Sequence, residues 1–397
     1  MSGNPRVSIL IPSRSQDALL ANCLNSLRLH IGGDIAYEVV IVMNSATDAL
    51  KSFVRERTRG LVVRESDANL GVAGGYNRAR ASARGEFLML LHDDTEIQPG
   101  WIESLLETMA THPAAGAVGS FQFFPDGRPQ RAGSILWRNA LTTTTWANVA
   151  PDPGTFTDVR PVDYSGTCST LVRASTWDAI GGMDEEIFPA YYVDVDLCMK
   201  IRRHGQTVLC DPRSRILHHA GASTNRSFQQ FISRCNQLYI ITKWSAELDQ
   251  QEPYVPEDPA SLERAKQITA STAATLTDHW KEPGHASPAP PVPAPECQER
   301  EHEKREKALL ANYLKHLETC DTLLNERLAT MSTDLASTHD QLAGVQAGLT
   351  ASQGEIAELQ ARIRKLRKRN NALQSELAES RKSLFSRLIR KWKSSAG

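Results

Sequence analysis

The chain has 397 residues, which is more than one ordinary domain needs, so we expect two or three structural units. Its formal net charge of −1 gives no overall field that would attract nucleic acid, and a nucleic-acid partner is not expected. The seven cysteines show no metal-ligand spacing and predict a reduced, cytoplasmic chain. We find neither a signal-peptide pattern nor a run of ~18 apolar residues that would span a bilayer.

The first part of the chain, up to about Trp244, alternates short apolar runs with helical patterns. The helical stretches include 18–29 and 72–83. Strands that alternate with helices predict an α/β domain with a mostly parallel sheet, whose strands are continuous apolar runs because both faces are covered. The strand candidates are VSILI (7–11), YEVVIVM (37–43), LVV (61–63) and FLMLL (87–91).

The run FLMLL is followed directly by His92, Asp93 and Asp94. Ligands of parallel α/β sheets bind beyond the carboxyl ends of the strands, which is where these side chains fall. Two adjacent carboxylates repel each other unless a cation neutralises them, and a hard cation such as Mg²⁺ or Mn²⁺ prefers oxygen ligands. The alternative is that these acids and Thr95 only cap a following helix.

Several further motifs follow a fixed order along the chain. They are VSILIPSRS (7–15), YEVVIVMN (37–44), NLGVAGGYN (69–77), HDD (92–94), GGMDEEIFPAYYVDVD (181–196) and ILHHAG (216–221). Taken together, they resemble glycosyltransferase family 2 enzymes of the GT-A fold, rhamnosyltransferase-like members included, over about residues 5–244. The resemblance implies inverting, metal-dependent transfer of a sugar from a nucleoside-diphosphate sugar to a hydroxyl of a glycan or lipid-linked acceptor, in cell-surface polysaccharide assembly.

The resemblance also implies roles for individual residues. Asp94 would bind Mn²⁺ or Mg²⁺, and His218 would be a further metal or diphosphate contact, with His219 as the alternative. Asp194, in VDVD, matches the position of the catalytic base. The implied donor-binding residues are Pro12, Ser13, Asn44, Asn69, Gly71, Asn77, His92 and Asp93.

Three departures from the family pattern support a different interpretation. Met43 and Val193 stand where the family usually has acids, and His92 replaces an acid or amide. A coiled-coil scaffold with a catalytically silent GT-A binding domain is therefore the alternative function. In that case Asp194 would serve only as a helix N-terminal carboxylate and His218 as an ordinary strand-end histidine. Met43 also leaves UDP, dTDP and GDP sugars open as donors.

The rest of the chain divides by composition. We assign 1–245 to the GT-A domain, 246–297 to a linker with a Pro-rich segment and 298–380 to a coiled coil. Within the linker, 260–280 has a helical pattern. From Leu310 to Leu384, seam positions recur in alternating steps of four and three residues, which is typical of a left-handed coiled coil.

As a single helix this coil would be about 110 Å long, and three glycines (Gly344, Gly348 and Gly354) weaken its middle. Asn370 at a seam position favours a parallel dimer, with a trimer as the alternative. A long helix folded back on the first domain is the competing interpretation. The tail, 381–397, reads as a basic amphipathic helix that would contact the inner face of the cytoplasmic membrane, although a solvated helix end or a partner-docking face has the same pattern.

Overall fold

The computed structural model of the protein describes residues 4–15, 17–57, 60–145, 158–219, 226–256, 258–279, 295–347 and 353–395. Two compact units follow one another along the chain, Met1–Lys307 and Ala308–Gly397. The first unit contains every strand of the described part, and the second is helical. The predicted domain limits at 245, 297 and 380 remain predictions.

The first unit is built on one mixed, mostly parallel sheet. Its strands are ordered β10-β12-β6-β11-β4-β1-β2-β3, with β5 added beside β12, β7 beside β6, and a separate β8-β9 hairpin. The strands are β1 (Val7–Ser13), β2 (Tyr37–Asn44), β3 (Leu61–Ser66), β4 (Phe87–Leu91), β5 (Thr95–Ile97), β6 (Ala115–Phe123), β7 (Pro129–Arg131), β8 (Ser134–Leu136), β9 (Thr142–Thr144), β10 (Arg160–Pro161), β11 (Ser169–Arg173) and β12 (Thr207–His218).

Helices cover both faces of this sheet and continue into the second unit. They are α1 (Asp17–His30), α2 (Asp48–Glu56), α3 (Gly71–Arg80), α4 (Trp101–Thr111), α5 (Ala174–Ala179), α6 (Val193–Arg203), α7 (Arg226–Lys243), α8 (Ser245–Leu248), α9 (Pro259–His279), α10 (Pro295–Ala347) and α11 (Gln353–Ser395). Among the described residues, no helix combines the length and the apolar character that a membrane span requires.

Strand β1 shows why the apolar runs predicted strands correctly. Leu10 belongs to the core cluster on one face of the sheet, and Ile9 and Ile11 belong to the cluster on the other face. All three side chains are fully buried. Because alternate residues of a strand point to opposite faces, a strand covered on both faces needs an uninterrupted apolar run. Each such side chain contributes roughly 1.5–3 kcal/mol through burial.

The pairing of the central strands positions the site. β1 runs parallel to β2 and to β4, so these three strands end at the same edge of the sheet. At the far side, β12 pairs antiparallel with β5, and His218 lies opposite Thr95. No helix begins after Asp94, because Thr95 starts strand β5, so the helix-capping interpretation of the two acids is wrong.

Helix α9 packs against the sheet domain of the first unit, although it lies in the segment predicted as linker. Its Thr269 hydroxyl donates to the buried carboxylate of Asp163 at 3.0 Å, and Ala265 packs with Ile135 and Trp137. The helical pattern at 260–280 therefore marked a helix that covers part of the domain. The Pro-rich segment, 283–293, lies outside the described residues.

In the second unit, α10 and α11 meet within one chain. The guanidinium of Arg381 donates to the carboxylate of Asp321 at 2.7 Å. A single helix would separate these residues by about 90 Å, so α10 and α11 do not form one straight helix. The buried side chains described in this unit all belong to the predicted seam, namely Met331, Thr338, Ile363 and Leu377. The side chains of 382–397, on which the amphipathic face of the tail depends, lie outside the described part.

Candidate active site

The acidic end of β4 is held against the end of β1. The Ser13 hydroxyl donates a short hydrogen bond to Oδ2 of Asp93. Burial raises the pKa of Asp93 to about 7, an effect that the Ser13 hydrogen bond opposes and the charge of Asp94 reinforces. Two of the predicted donor-binding residues are therefore in direct contact at the edge of the sheet where β1 and β4 end.

Next to this pair, three side chains form a compact group of metal-ligand type. One ligand atom from each of His92, Asp94 and His218 lies within 4.8 Å of the other two. Nε2 of His218 is 3.3 Å from Oδ1 of Asp94, and Nδ1 of His92 is 3.8 Å from the same oxygen. The sequence prediction placed Asp94 and His218 as metal ligands and His92 beside the donor; the fold brings all three together.

Burial and charge act in opposite directions within this group. Burial lowers the pKa of His92 to about 4, so its imidazole is neutral near pH 7. For Asp94, burial acts to raise the pKa, but the interactions with His218 and His92 outweigh it and lower the pKa to about 2. A neutral imidazole and an ionised carboxylate are the protonation states that bind a divalent cation.

Gln130 of β7 fixes the orientation of His218. Nδ1 of His218 lies 2.6 Å from the side-chain oxygen of Gln130, and the Gln130 amide donates to the His218 carbonyl at 3.3 Å. An amide oxygen only accepts, so Nδ1 carries the proton and Nε2 presents its lone pair to Asp94. Oδ1 of Asp94 is buried and has no hydrogen-bond partner among the described residues. A lone pair and an unpartnered anionic oxygen facing each other fit a bound cation.

His219, the alternative to His218, faces elsewhere. Its Nε2 lies 2.9 Å from a carboxylate oxygen of Glu96, and its backbone N–H donates to the carbonyl of Asp94 at 3.0 Å. His219 therefore supports the backbone of the site, while His218 contributes its ring. Gly221, which completes the motif, lies outside the described residues.

Asp194 lies in the first turn of α6 and contacts Arg131 of β7. Nη1 of Arg131 is 3.4 Å from Oδ2 of Asp194, and 18% of the Asp194 side chain is exposed. Burial raises the pKa of Asp194, whereas the charge of Arg131 and the backbone hydrogen bond from Val195 lower it. Gln130 and Arg131 are consecutive residues of one strand, and through them β7 contacts both the ligand group and the predicted base.

The backbone that delivers Asp194 is strained and tied down. Tyr191 and Tyr192, which precede α6, have φ values of 65° and 67°, a left-handed conformation that costs roughly 1–3 kcal/mol for residues with a Cβ. The side-chain amide of Asn236, on α7, donates to the carbonyls of Ala190 and Tyr191. The surrounding structure thus holds an unfavourable backbone conformation immediately before the predicted base.

The remaining predicted donor-binding residues surround the start of α3 and hold the backbone there. Asn44 donates to the Gly71 carbonyl at 3.0 Å and accepts from the Leu70 N–H at 2.7 Å. Asn69 accepts from the Gly71 N–H at 3.1 Å. Gly71 has φ +66°, and a Cβ at this position would lie 2.8 Å from the Pro189 carbonyl oxygen. These contacts shape a turn at the edge of the sheet where β2 ends.

Two other predicted residues have packing partners within the domain. The Asn77 amide donates to the Met183 carbonyl at 2.9 Å and to Glu185 at 2.8 Å. Pro12 packs against Gly75, where an added Cβ would lie 2.8 Å from the proline ring. Asn77 therefore anchors the loop before α6. The roles of Asn77 and Pro12 in donor binding remain predictions.

Sequence reasoning missed Gln130 and Arg131. The stretch RPQRAG has neither a motif nor a clear period, and a three-residue edge strand gives almost no pattern. It also missed Thr167, whose hydroxyl lies 3.1 Å from Nε2 of His92. Within RPQRAG, the one usable signal is a glutamine next to an arginine in a short extended segment. Such a pair is common at protein surfaces.

Part of the chain matches a known family. Residues 8–174 match the family described as Glycosyl transferase family 2. The chain is 28% identical over 233 residues to the O-antigen biosynthesis protein RfbC of Myxococcus xanthus, a match covering 56% of this chain and 18% of RfbC. It is 28% identical over 215 residues to N-acetylglucosaminyl-diphospho-decaprenol L-rhamnosyltransferase of Mycobacterium tuberculosis, covering 47% of this chain and 68% of that enzyme.

The fold has a solved counterpart. The crystal structure of GalNAc-T7 with UDP, GalNAc and Mn²⁺ matches with a TM-score of 0.50 and 12% sequence identity, over 70% of this chain and 57% of that one. The chain spans only 25% and 18% of two of the curated bacterial relatives that it matches. Sheet order, motif order and these comparisons agree: residues 8–174 match the glycosyl transferase family 2 model, and the domain has the GT-A fold.

Proposed function

We propose that the protein is an inverting, metal-dependent glycosyltransferase that moves a sugar from a nucleoside-diphosphate sugar to a hydroxyl of a glycan or lipid-linked acceptor. The observation that carries this proposal is the buried Oδ1 of Asp94, which has no hydrogen-bond partner in the described part of the chain and faces Nε2 of His218. The names of the relatives, an O-antigen biosynthesis protein and a rhamnosyltransferase, support a setting in cell-surface polysaccharide assembly.

Asp94, His218 and His92 would hold the metal, for which Mn²⁺ or Mg²⁺ suits the carboxylate. When bound, such an ion supplies charge stabilisation for the leaving nucleoside diphosphate. The protein side of this site is already arranged, because Gln130 holds the His218 ring and Thr167 contacts His92. A site whose ligands are oriented in advance needs little reorganisation during the reaction.

Asp194 would act as the base. Its carboxylate takes the proton of the acceptor hydroxyl as that oxygen forms a bond to the anomeric carbon and the bond to the diphosphate oxygen breaks. Burial raises the pKa of this carboxylate, the charge of Arg131 acts to lower it, and the 3.4 Å contact with Arg131 orients it. A single displacement without a covalent intermediate inverts the configuration of the sugar.

A donor panel tests the proposal. Release of nucleoside diphosphate from UDP, dTDP and GDP sugars would be measured with and without Mn²⁺, in wild type, Asp94→Asn and Asp194→Asn. We expect metal-dependent release from one donor class, lost in Asp94→Asn, and strongly reduced in Asp194→Asn although Mn²⁺ binding is kept. Asp126→Asn, in an exposed turn, is the matched control.

Two results would contradict the proposal. One is equal turnover by wild type and Asp94→Asn. The other is no turnover, even with lipid-linked acceptors, together with no metal-dependent nucleotide binding. The second result would favour the scaffold function, in which the GT-A domain only binds.

We further propose that the helices of the second unit mediate self-association, with a dimer favoured. Oδ1 of Asn370 is buried and has no hydrogen-bond partner among the described residues, and an asparagine at a seam position is commonly paired by a second copy. Contact of the basic tail with the inner membrane surface stays a proposal that rests on its sequence.

A further inference from the structure

A cavity opens beside the predicted base, outside the residues assigned so far. Its volume is ≈ 390 Å³, and it lies between α7, Leu141 and Tyr192. Five of the six other residues that line it offer hydrogen bonds through an amide or a guanidinium, and the sixth does so through a hydroxyl: Arg226, Gln229, Gln230, Ser233, Arg234 and Gln237. A cavity with so many polar groups fits a hydroxyl-rich ligand such as a sugar.

The charge of the lining narrows the class of ligand. Two guanidinium groups, from Arg226 and Arg234, face the cavity, and none of the described residues that line it is acidic. Guanidinium groups bind phosphate oxygens through parallel N–H donors and retain their charge at any physiological pH. The cavity therefore favours a ligand that carries a phosphoryl group.

Arg234 is held in place before any ligand arrives. Its Nη1 donates to the side-chain oxygen of Gln237 at 2.7 Å, and the amide of Gln237 donates to the Asn139 carbonyl at 2.9 Å. Gln237 itself is only 5% exposed. An arginine fixed by a buried glutamine loses less conformational entropy on binding than a free surface arginine does.

Tyr192 connects this cavity to the predicted base. It lines the cavity, and it directly precedes the helix whose first turn contains Asp194. The hydroxyl of Tyr192 donates to the Ala140 carbonyl at 3.0 Å, which fixes the ring beside Leu141. Burial and the charges of Tyr164 and Asp194 raise the pKa of Tyr192 to about 12, while Arg234 acts to lower it. One side chain thus lies within electrostatic range of both the base and the cavity arginine.

We infer that this cavity is the acceptor subsite and that the acceptor carries a phosphoryl or diphosphate group, which Arg226 and Arg234 bind. This inference rests on the proposed function, because an acceptor is needed only if a sugar is transferred. Two sources share this chemistry, a lipid-linked sugar diphosphate and a phosphorylated soluble glycan.

Binding measurements separate this inference from the proposed function. Inorganic pyrophosphate, farnesyl diphosphate, glucose 1-phosphate and methyl glucoside would be titrated calorimetrically into the full chain in EDTA, so that the predicted metal site does not contribute. The variants are Arg226→Gln, Arg234→Gln and the double variant. The matched control is Arg57→Gln. Arg57 is an exposed arginine that directly follows α2 and is far in sequence from the residues of the cavity.

We expect the three phosphorylated probes to bind more tightly than methyl glucoside. Each arginine substitution should weaken their binding about tenfold, whereas Arg57→Gln and Asp94→Asn should bind as wild type does. Tighter binding of farnesyl diphosphate than of pyrophosphate would assign the lipid-linked source. Equal affinity for farnesyl diphosphate and pyrophosphate would identify a phosphorylated soluble glycan as the source of the phosphoryl group.

Pyrophosphate affinity that is unchanged in the double variant would overturn the inference, and so would equal affinity for methyl glucoside and glucose 1-phosphate. If a donor is turned over, a second readout is available: the arginine variants should raise the KM for a phosphorylated acceptor by a larger factor than the KM for the donor, whereas Arg57→Gln should leave both unchanged. Absence of both donor turnover and metal-dependent nucleotide binding in wild type would refute the proposed function, whereas the titrations would still report on the cavity.

Discussion

Replacing Gln130 by Ala should weaken metal binding although this residue is not a ligand. In the wild type, the Gln130 oxygen accepts the Nδ1 proton of His218 at 2.6 Å, which leaves Nε2 unprotonated. Without that acceptor, the proton can move to Nε2, which lies 3.3 Å from Oδ1 of Asp94. The histidine would then donate to the carboxylate, and the two groups would satisfy each other without a cation.

The magnitude follows from this competing hydrogen bond. A metal ion must displace it, and a hydrogen bond to a charged group contributes about 1.5–3 kcal/mol. Loss of such an outer hydrogen-bond partner typically lowers metal affinity by roughly 10–100-fold, or about 1.4–2.7 kcal/mol. The two estimates agree, so we expect the Kd of Gln130→Ala for Mn²⁺ to be roughly 10–100 times that of wild type.

The assay is Mn²⁺ titration followed by electron paramagnetic resonance of the free ion. Gln130→Glu keeps an acceptor for Nδ1 and should bind Mn²⁺ at least as well as wild type, and Asp94→Asn should abolish binding. Unchanged affinity in Gln130→Ala, with binding still lost in Asp94→Asn, would refute the role assigned to the His218 orientation.

Two further predictions concern the base and the turn before α3. Arg131→Gln removes the charge that lowers the pKa of Asp194, so this pKa should rise further and the acid limb of the pH profile of kcat/KM should move to higher pH. Arg131→Lys keeps the charge and should keep the wild-type profile. An unmoved profile in Arg131→Gln would argue against Asp194 as the base. Gly71→Ala should lower the free energy of unfolding, measured in urea, by more than Gly60→Ala does. Both positions have positive φ, which costs alanine about 1–2 kcal/mol, but only at Gly71 would the new Cβ lie 2.8 Å from the Pro189 carbonyl oxygen, and equal losses would contradict this account.

Local patterns in the sequence were sufficient for much of the fold. FLMLL predicted a buried strand because a strand covered on both faces has no place for polar residues, and the structure confirms it as β4. The acids that follow it were identified as candidate ligands because the ends of parallel strands are where such sheets bind ligands. The seam positions of the second unit were also predicted from the sequence, because a period is a property of consecutive residues.

Only the tertiary structure decided which distant residues meet. His218 reaches Asp94 because β12 pairs antiparallel with β5, and Gln130 and Arg131 reach His218 and Asp194 because β7 pairs with β6. Strand partners and register depend on packing across the whole sheet, which a local pattern does not encode. The contact of Arg381 with Asp321 has the same origin: the period determines which face of a helix is apolar, and the fold determines which helix covers it.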